Sequence, residues 1–338
     1  MAEVAKLDIA ANALVLGPYP EGGGTYASYY GYVTCMLRIP EEGLSRAVPL
    51  PPQEFRDLAA LLPDDAEVKL VPGASALQIT ASTGRRMSLR YSTRTNEPPP
   101  LGQPEKLAIV DREAFTREAT AALQVTADSL AVPVLRGVRI AGSVTAGKVA
   151  FQSANGTSLV FESNVLAAVE TNFDLVAPST DLLTALRVLN GDQLHIMRKG
   201  NTLLLQTTDV IVRVGTLAGT WPNLSSVRGV SYTEEVTISA ATIRALVAAA
   251  KVYQVSREAI IRPADDPGII WFETREGEAG QFQETAEGIL FHSYVFDIDN
   301  LEQAAKMSGE KVKIRLAERL ALVSVGSRRL FMNHRLTI

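Results

Sequence analysis

Between Leu175 and Thr220 the apolar positions change their period twice. LVAP reads as a strand, and Leu182, Leu183, Leu186 and Leu189 then share one helical face. Pro178 is placed in the first helical turn, where a missing N–H costs little. Asn190-Gly191 ends the helix, because glycine enters the left-handed conformation without steric penalty. QLHIMR, TLLLQTT and VIVRVGTL follow as three strands, with Lys199-Gly200-Asn201 as a hairpin tip.

The chain writes this pattern three times. It recurs in VPLPPQEF…LRYST (48–93) and in VFDIDNLE…HRLTI (295–338). The acidic residue after each helix break is Asp65, Asp192 or Glu310, spaced by 127 and 118 positions. Strand ends match as well: VKLV, LHIM and VKIR, then LQIT, LLLQ and LALV. Solenoid repeats run about 20–50 residues, so this spacing is that of a repeated domain.

A second helix belongs to the repeat. Asp111 caps REAFTREATAALQVTADS, whose stripe is Phe115, Ala119, Ala122 and Leu123. Ser239 caps SAATIRALVAAAKVYQVS, 128 positions later, with Ile243, Leu246, Val247 and Ala250 on one face. VPVLRGVRI and KVAFQSAN read as strands after the first of these helices. EAIIRP, GIIWFETREG and ILFHSYVFDI read as strands after the second. Residues 1–47 show two strands, KLDIAANALVLG and TYASYYGYVTCMLRI, about a PYPEGGG loop, and no helical pattern. TNEPPPLGQPE (95–105) holds four prolines and no apolar period, which marks a linker. GTWPNLSSVRG (219–229) closes the middle domain. The expected fold class is therefore α+β, with paired helices on antiparallel sheets. Three repeats are expected at 1–105, 106–228 and 229–338, the first truncated by one helix.

Composition narrows the class. A chain of 338 residues has room for two or three domains of about 100–200 residues. Cys35 is the only cysteine, which excludes an internal disulfide and a cysteine-built metal site. No apolar run approaches the roughly 18–20 residues that span a bilayer, and MAEVAKLDIAAN lacks a signal-peptide pattern. A cytoplasmic location is expected. The net charge of −4 means that any nucleic-acid contact must come from local basic patches.

No catalytic constellation emerges. GxxxxGK[ST], HExxH, GxSxG and CxxC are all absent. GEAGQ (277–281) has glycines but no following helix to cradle phosphate. His195, His292 and His334 read as solvent-facing or satisfied strand histidines, and the carboxylates as scattered surface charges. Neither an enzyme, a metal nor a cofactor is expected.

A domain of two helices and many strands, repeated three times, resembles the bacterial sliding clamp, the beta subunit of the replicative DNA polymerase. GTWPNLSSV is similar to that family's segment with a Phe-Pro-Asp/Asn signature. MNHRL is similar to its closing Met-Pro-Met-Arg-Leu, and VPVLRGVRI to the strand after a clamp domain's first helix. SANGTSLV stands where the family has Thr-Asp-Gly-His-Arg-Leu. Thr157 and Ser158 replace His-Arg there, and Asn333-His334 replaces Pro-Met, so the chain looks like a divergent clamp of the kind a phage or mobile element encodes.

The resemblance implies a processivity factor: a head-to-tail homodimeric ring around duplex DNA that tethers the polymerase and clamp loader through short peptides. It implies a peptide pocket of Leu135, Ala154, Gly156, Thr157, Ser158, Leu159, Pro222, Val227, Leu330 and Met332. It also implies DNA-facing cations on or beside helices: Arg112, Arg117, Arg187, Arg244, Lys251, Arg257 and Lys306. The rival expectation is a clamp-like or β-rich viral scaffold that binds partners without encircling DNA.

Overall fold

The computed structural model describes residues 13–18, 25–30, 33–39, 44–63, 66–92, 103–127, 132–253, 258–266, 269–274, 282–285 and 287–337. The first stretch holds β1 (Ala13–Pro18), β2 (Thr25–Tyr30), β3 (Val33–Ile39), β4 (Val48–Leu50), α1 (Pro52–Ala60), β5 (Val68–Pro72), β6 (Ala76–Ala81) and β7 (Arg86–Arg90). The middle stretch opens with β8 (Glu105–Asp111), α2 (Arg112–Leu123), a 3-10 turn (Pro133–Arg136), β9 (Gly137–Ser143) and β10 (Lys148–Ala154). It continues with β11 (Leu159–Val169), β12 (Phe173–Pro178), α3 (Ser179–Val188), β13 (Gln193–Lys199), β14 (Thr202–Gln206), β15 (Val210–Gly215) and α4 (Ser225–Arg228). The last stretch holds β16 (Glu234–Ser239), α5 (Ala240–Tyr253), β17 (Glu258–Pro263), β18 (Ile269–Thr274), β19 (Phe282–Thr285) and β20 (Glu287–Ile289). It ends with β21 (Ser293–Asp297), α6 (Ile298–Met307), β22 (Lys311–Leu316), β23 (Leu320–Val325), β24 (Arg328–Asn333) and β25 (Arg335–Thr337).

Contacts group the chain into two compact units. One comprises Met1–Thr116, Gly142–Val149 and Leu166–Leu217; the other comprises Arg117–Ala141, Ala150–Val165 and Ala218–Ile338. Each unit takes in part of the middle stretch.

In the first unit, β1 pairs with β2 and β4, β2 with β3, and β3 with β15, all antiparallel. β14 links β13 to β15, and β8 runs between β13 and the end of β11. Val15, Met36, Met197, Leu204 and Ile211 form a buried cluster where β3 meets β15. β5, β6 and β7 make a separate three-stranded sheet.

The second unit repeats the opening ladder: β17 pairs with β18 and β21, and β18 with β19. β22, β23 and β24 pair in sequence, and β24 continues onto the first half of β11. In both units the helix after β8 or β16 is fastened at its start. Arg112 N donates to Asp192 O at 2.8 Å, and Ala240 N to Glu310 O at 2.8 Å. The caps also hold: Ala114 N donates to Asp111 Oδ1 at 2.7 Å, and Ala241 N to Ser239 Oγ at 3.1 Å.

The structure corrects several expectations. TYASYYGYVTCMLRI is a hairpin of β2 and β3, not one strand. VPVLR forms the 3-10 turn, and only Gly137 onward is strand. α2 ends at Leu123, short of Ser129. Pro178 is the last residue of β12 and precedes the helix, with ψ 138°. Leu183 is 39 % exposed, because the buried stripe of α3 runs through Leu182, Ala185 and Leu186. Gly191 has φ +72°, as the helix break requires. Glu105, the last residue of the expected linker, opens β8, and residues 95–102 of that linker lie outside the described residues. ILFHSYVFDI is broken: β20 ends at Ile289 and β21 starts at Ser293. Asp65, Arg257, GEAGQ and the whole KLDIAAN part of the first expected strand lie outside the described residues. So do residues 1–12 and 19–24, on which the expectation of a missing first helix depends.

Candidate functional site

β11 and β24 set the frame of the site. Leu159 stands opposite Met332, Val160 opposite Phe331, Phe161 opposite Leu330, and Glu162 opposite Arg329. Strand alternation puts Leu159, Phe161, Leu330 and Met332 on one face, and all four are buried. The turn before β11 is held by one side-chain oxygen. Asn155 Oδ1 accepts from the N–H groups of Thr157, Ser158 and Leu159 at 3.1, 2.9 and 2.9 Å. Gly156 has φ +82°, and a Cβ there would lie 3.3 Å from Leu135 Cδ1 on the 3-10 turn. Asn333 closes the other side: its N donates to Ser158 O at 2.8 Å and its Nδ2 to Thr157 O at 3.0 Å.

The segments carrying Leu135, Ala154 to Leu159, Leu330 and Met332 thus converge within one unit. They form a packed apolar wall, with Met332 0 % exposed. Pro222 is exposed and Val227 half-buried on the segment after Gly219. That segment is fastened by Arg228, whose Nε donates to Glu162 at 2.9 and 3.2 Å, and by the close approach of Gly219 to Val134.

The predicted phosphate-facing cations differ in their freedom. In the first unit, Arg112 Nε donates to Gly191 O at 2.7 Å, and Arg187 is exposed in the last turn of α3. In the second, Arg244 Nη2 donates to Ala305 O at 3.0 Å, Arg117 pairs with Glu118 at 3.0 Å, and Lys306 with Glu302 at 3.1 Å. Lys251 lies in the last turn of α5; Arg257 is outside the described residues.

Two carboxylates are not surface charges, contrary to expectation. Glu118 is 3 % exposed and accepts from Arg328 Nε at 2.8 Å, Arg328 Nη2 at 3.0 Å and Arg117 Nε at 3.0 Å. Burial alone would raise its pKa, but the two guanidinium groups outweigh it and hold the carboxyl below its ordinary range. Glu234 accepts from Phe291 N at 2.8 Å, His292 Nδ1 at 2.5 Å and Tyr294 Oη at 2.6 Å. Burial again pushes up and the donors prevail, so Glu234 is also lowered; burial and Glu234 together push the Tyr294 hydroxyl up.

His195 is half-buried in β13, and His292 is exposed in the turn before β21. His334 is neither solvent-facing nor satisfied. It is buried between the rings of Tyr294 and Phe296, at 4.9 and 5.3 Å, and its ring nitrogens have no hydrogen-bond partner among the described residues. Burial lowers its pKa. Among the described residues no group of histidine, cysteine and carboxylate side chains could hold a metal, and no helix is long and apolar enough to cross a membrane.

No protein-family model and no curated protein sequence matches the chain. Solved structures do. The DNA polymerase III subunit beta from Pseudomonas aeruginosa superposes with a TM-score of 0.85 at 15 % identity, over 99 % of this chain and 96 % of that one. The chain has the sliding-clamp fold. The clamp from Bacillus subtilis gives 0.81 at 13 % identity, over 100 % and 96 %. The beta chain from Streptococcus pneumoniae gives 0.83 at 14 %, over 99 % and 96 %. The clamp fold therefore accounts for the chain end to end, and the resemblance carried by GTWPNLSSV and MNHRL holds at the level of the fold.

Proposed function

We propose that this chain is a DNA polymerase processivity factor: a sliding clamp that closes head to tail around duplex DNA. It performs no catalysis and acts in the cytoplasm, holding the polymerase and clamp loader by docked peptides. The three stretches serve as three domains bounded near 105 and 228. The carrying observation is how the strands are joined. A strand that precedes the second helix of one stretch pairs with the third strand after that helix in the next, as β3 with β15 and β11 with β24. Among the described residues, β7 pairs only with β6 and β19 only with β18. A second copy supplies the missing joint at each end, and such a heterologous contact closes after two copies if each spans half a circle.

DNA attraction in this reading is electrostatic, salt-dependent and blind to sequence, which lets the ring slide. Partner peptides dock on the wall of Leu135, Gly156, Leu159 and Met332, with Pro222 and Val227 contributed by the segment that Arg228 ties to Glu162. The decisive experiment is retention on a nicked DNA circle, with loss on linearisation, by a species of about twice 36.4 kDa. A monomer that is never retained on circles refutes the ring and favours a tether.

A further inference from the structure

We propose that Arg117, Arg328 and Lys306 form a phosphodiester-binding cluster and that Glu118 is its positioning residue. The inference rests on the DNA-encircling reading. Glu118 and Ala121 stand at i and i+3 on α2, and Val125 follows in the turn just after its end. Beyond Glu118, this segment borders a cleft of about 80 Å³ between the ends of α2 and α6, above β11 and β24. Its floor includes Phe161, Leu330 and Met307, and its rim carries Gln124, Lys306 and Arg328. Arg328 lies in a strand, so a search of helices for DNA-facing cations does not find it.

The buried carboxylate holds more positive charge than it cancels. Two guanidinium groups share the one carboxylate of Glu118. Its bonds use Nε and Nη2 of Arg328 and Nε of Arg117. Nη1 of Arg328 and both Nη atoms of Arg117 have no partner among the described residues. Both side chains reach solvent, Arg117 at 58 % and Arg328 at 21 % exposure. Lys306 adds a third cation, held among the described residues by the i,i+4 pair with Glu302, which is weak. A guanidinium fixed by a two-point bond loses less freedom when it meets a phosphate than one on a loose chain.

Charge alone and positioning predict opposite signs. Glu118→Gln deletes a negative charge, which by simple electrostatics tightens DNA association. Positioning predicts that it weakens roughly threefold to tenfold, with a shallower salt slope. Glu113→Gln, exposed in the first turn of the same helix, should tighten it. Arg328→Lys keeps the charge but loses the two-point bond, and should also weaken association. The measurement is fluorescence anisotropy of a labelled DNA duplex with the full chain at two salt concentrations, below each variant's unfolding midpoint. Association of Glu118→Gln as tight as the parent's, or an unchanged Arg328→Lys, overturns the proposal. A parent without salt-dependent association overturns the DNA reading and this cluster with it.

Discussion

The same strand joint is built twice in this chain, and the side chains described at the two differ in chemistry. Where β3 meets β15, a cluster of Val15, Met36, Met197, Leu204 and Ile211 fills the contact. Where β11 meets β24, the apolar pairs Leu159/Met332 and Phe161/Leu330 are laced with polar ties. Asn333 bonds Ser158 and Thr157, Arg228 bonds Glu162, and Arg328 bonds the buried Glu118. An apolar joint tolerates small shifts of register or angle, because dispersion and burial are non-directional. A joint made of fork-shaped ion pairs and amide bonds fixes one geometry. The polar joint is the one beside the wall proposed for peptide docking, where a fixed shape is useful.

The largest effect expected from breaking this contrast is at Glu118. Glu118→Ala should lose about 3–5 kcal/mol in urea unfolding, since it leaves the half-buried Arg328 without its counter-charge. Replacing both partners, as in Glu118→Leu with Arg328→Met, should recover most of that loss. The effect depends on pH. The folded pKa of Glu118 lies below its ordinary value of 4.5, so its contribution is complete above that value. It fades as pH falls through the folded pKa, and parent and Glu118→Ala should converge in acid.

At the apolar joint the expected cost is smaller and indifferent to pH. Ile211→Val should lose about 0.5–1.5 kcal/mol at any pH at which the parent folds, by the same urea measurement. Asn333→Ala should lose about 1 kcal/mol by removing the bond from Nδ2 to Thr157 O. Its clearer signature is faster hydrogen exchange around residues 155–159, with none around β15. The smallest effect sets the baseline away from both joints. Arg198 pairs with Glu105 across β13 and β8 in partly exposed surroundings. Arg198→Ala should cost no more than about 1 kcal/mol, and salt should erase most of it. A larger loss there than at Ile211 would undo the contrast between the joints.

The fold was legible wherever local pattern and tertiary demand agreed. The helix, break and three strands at 175–220 were readable because glycine and apolar spacing state them locally. Both capping residues were readable for the same reason. The hairpin of β2 and β3 was hidden by an aromatic run that continues through Gly31 as if it were one strand. Val132–Arg136 looked like strand because proline and β-branched residues fit extended backbone as well as a 3-10 turn. β8, β11 and β16 were passed over as strands; KLAIV and LVF carried a signal, but neighbouring caps and linkers drew attention elsewhere.

The site was less legible for a physical reason. A buried carboxylate and a surface one are the same letter, and what decides between them is the partner. Glu118 finds Arg328 at a separation of 210 positions, and Glu234 finds Tyr294 at 60. No local window contains either pair. The same limit hid the engagement of Arg112 and Arg244, whose donors meet backbone carbonyls of other elements.

The turn at Asn155 has a consequence for time rather than energy. One oxygen carries three amide hydrogens. When that side chain rotates away, Thr157, Ser158 and Leu159 lose their acceptor together, so this rim cannot fray residue by residue. It opens as a single cooperative unit. Under rapid reclosing the three amides should then share one opening free energy, as beads released by a single clasp. Whatever enters beside Met332 would meet a gate with one clock.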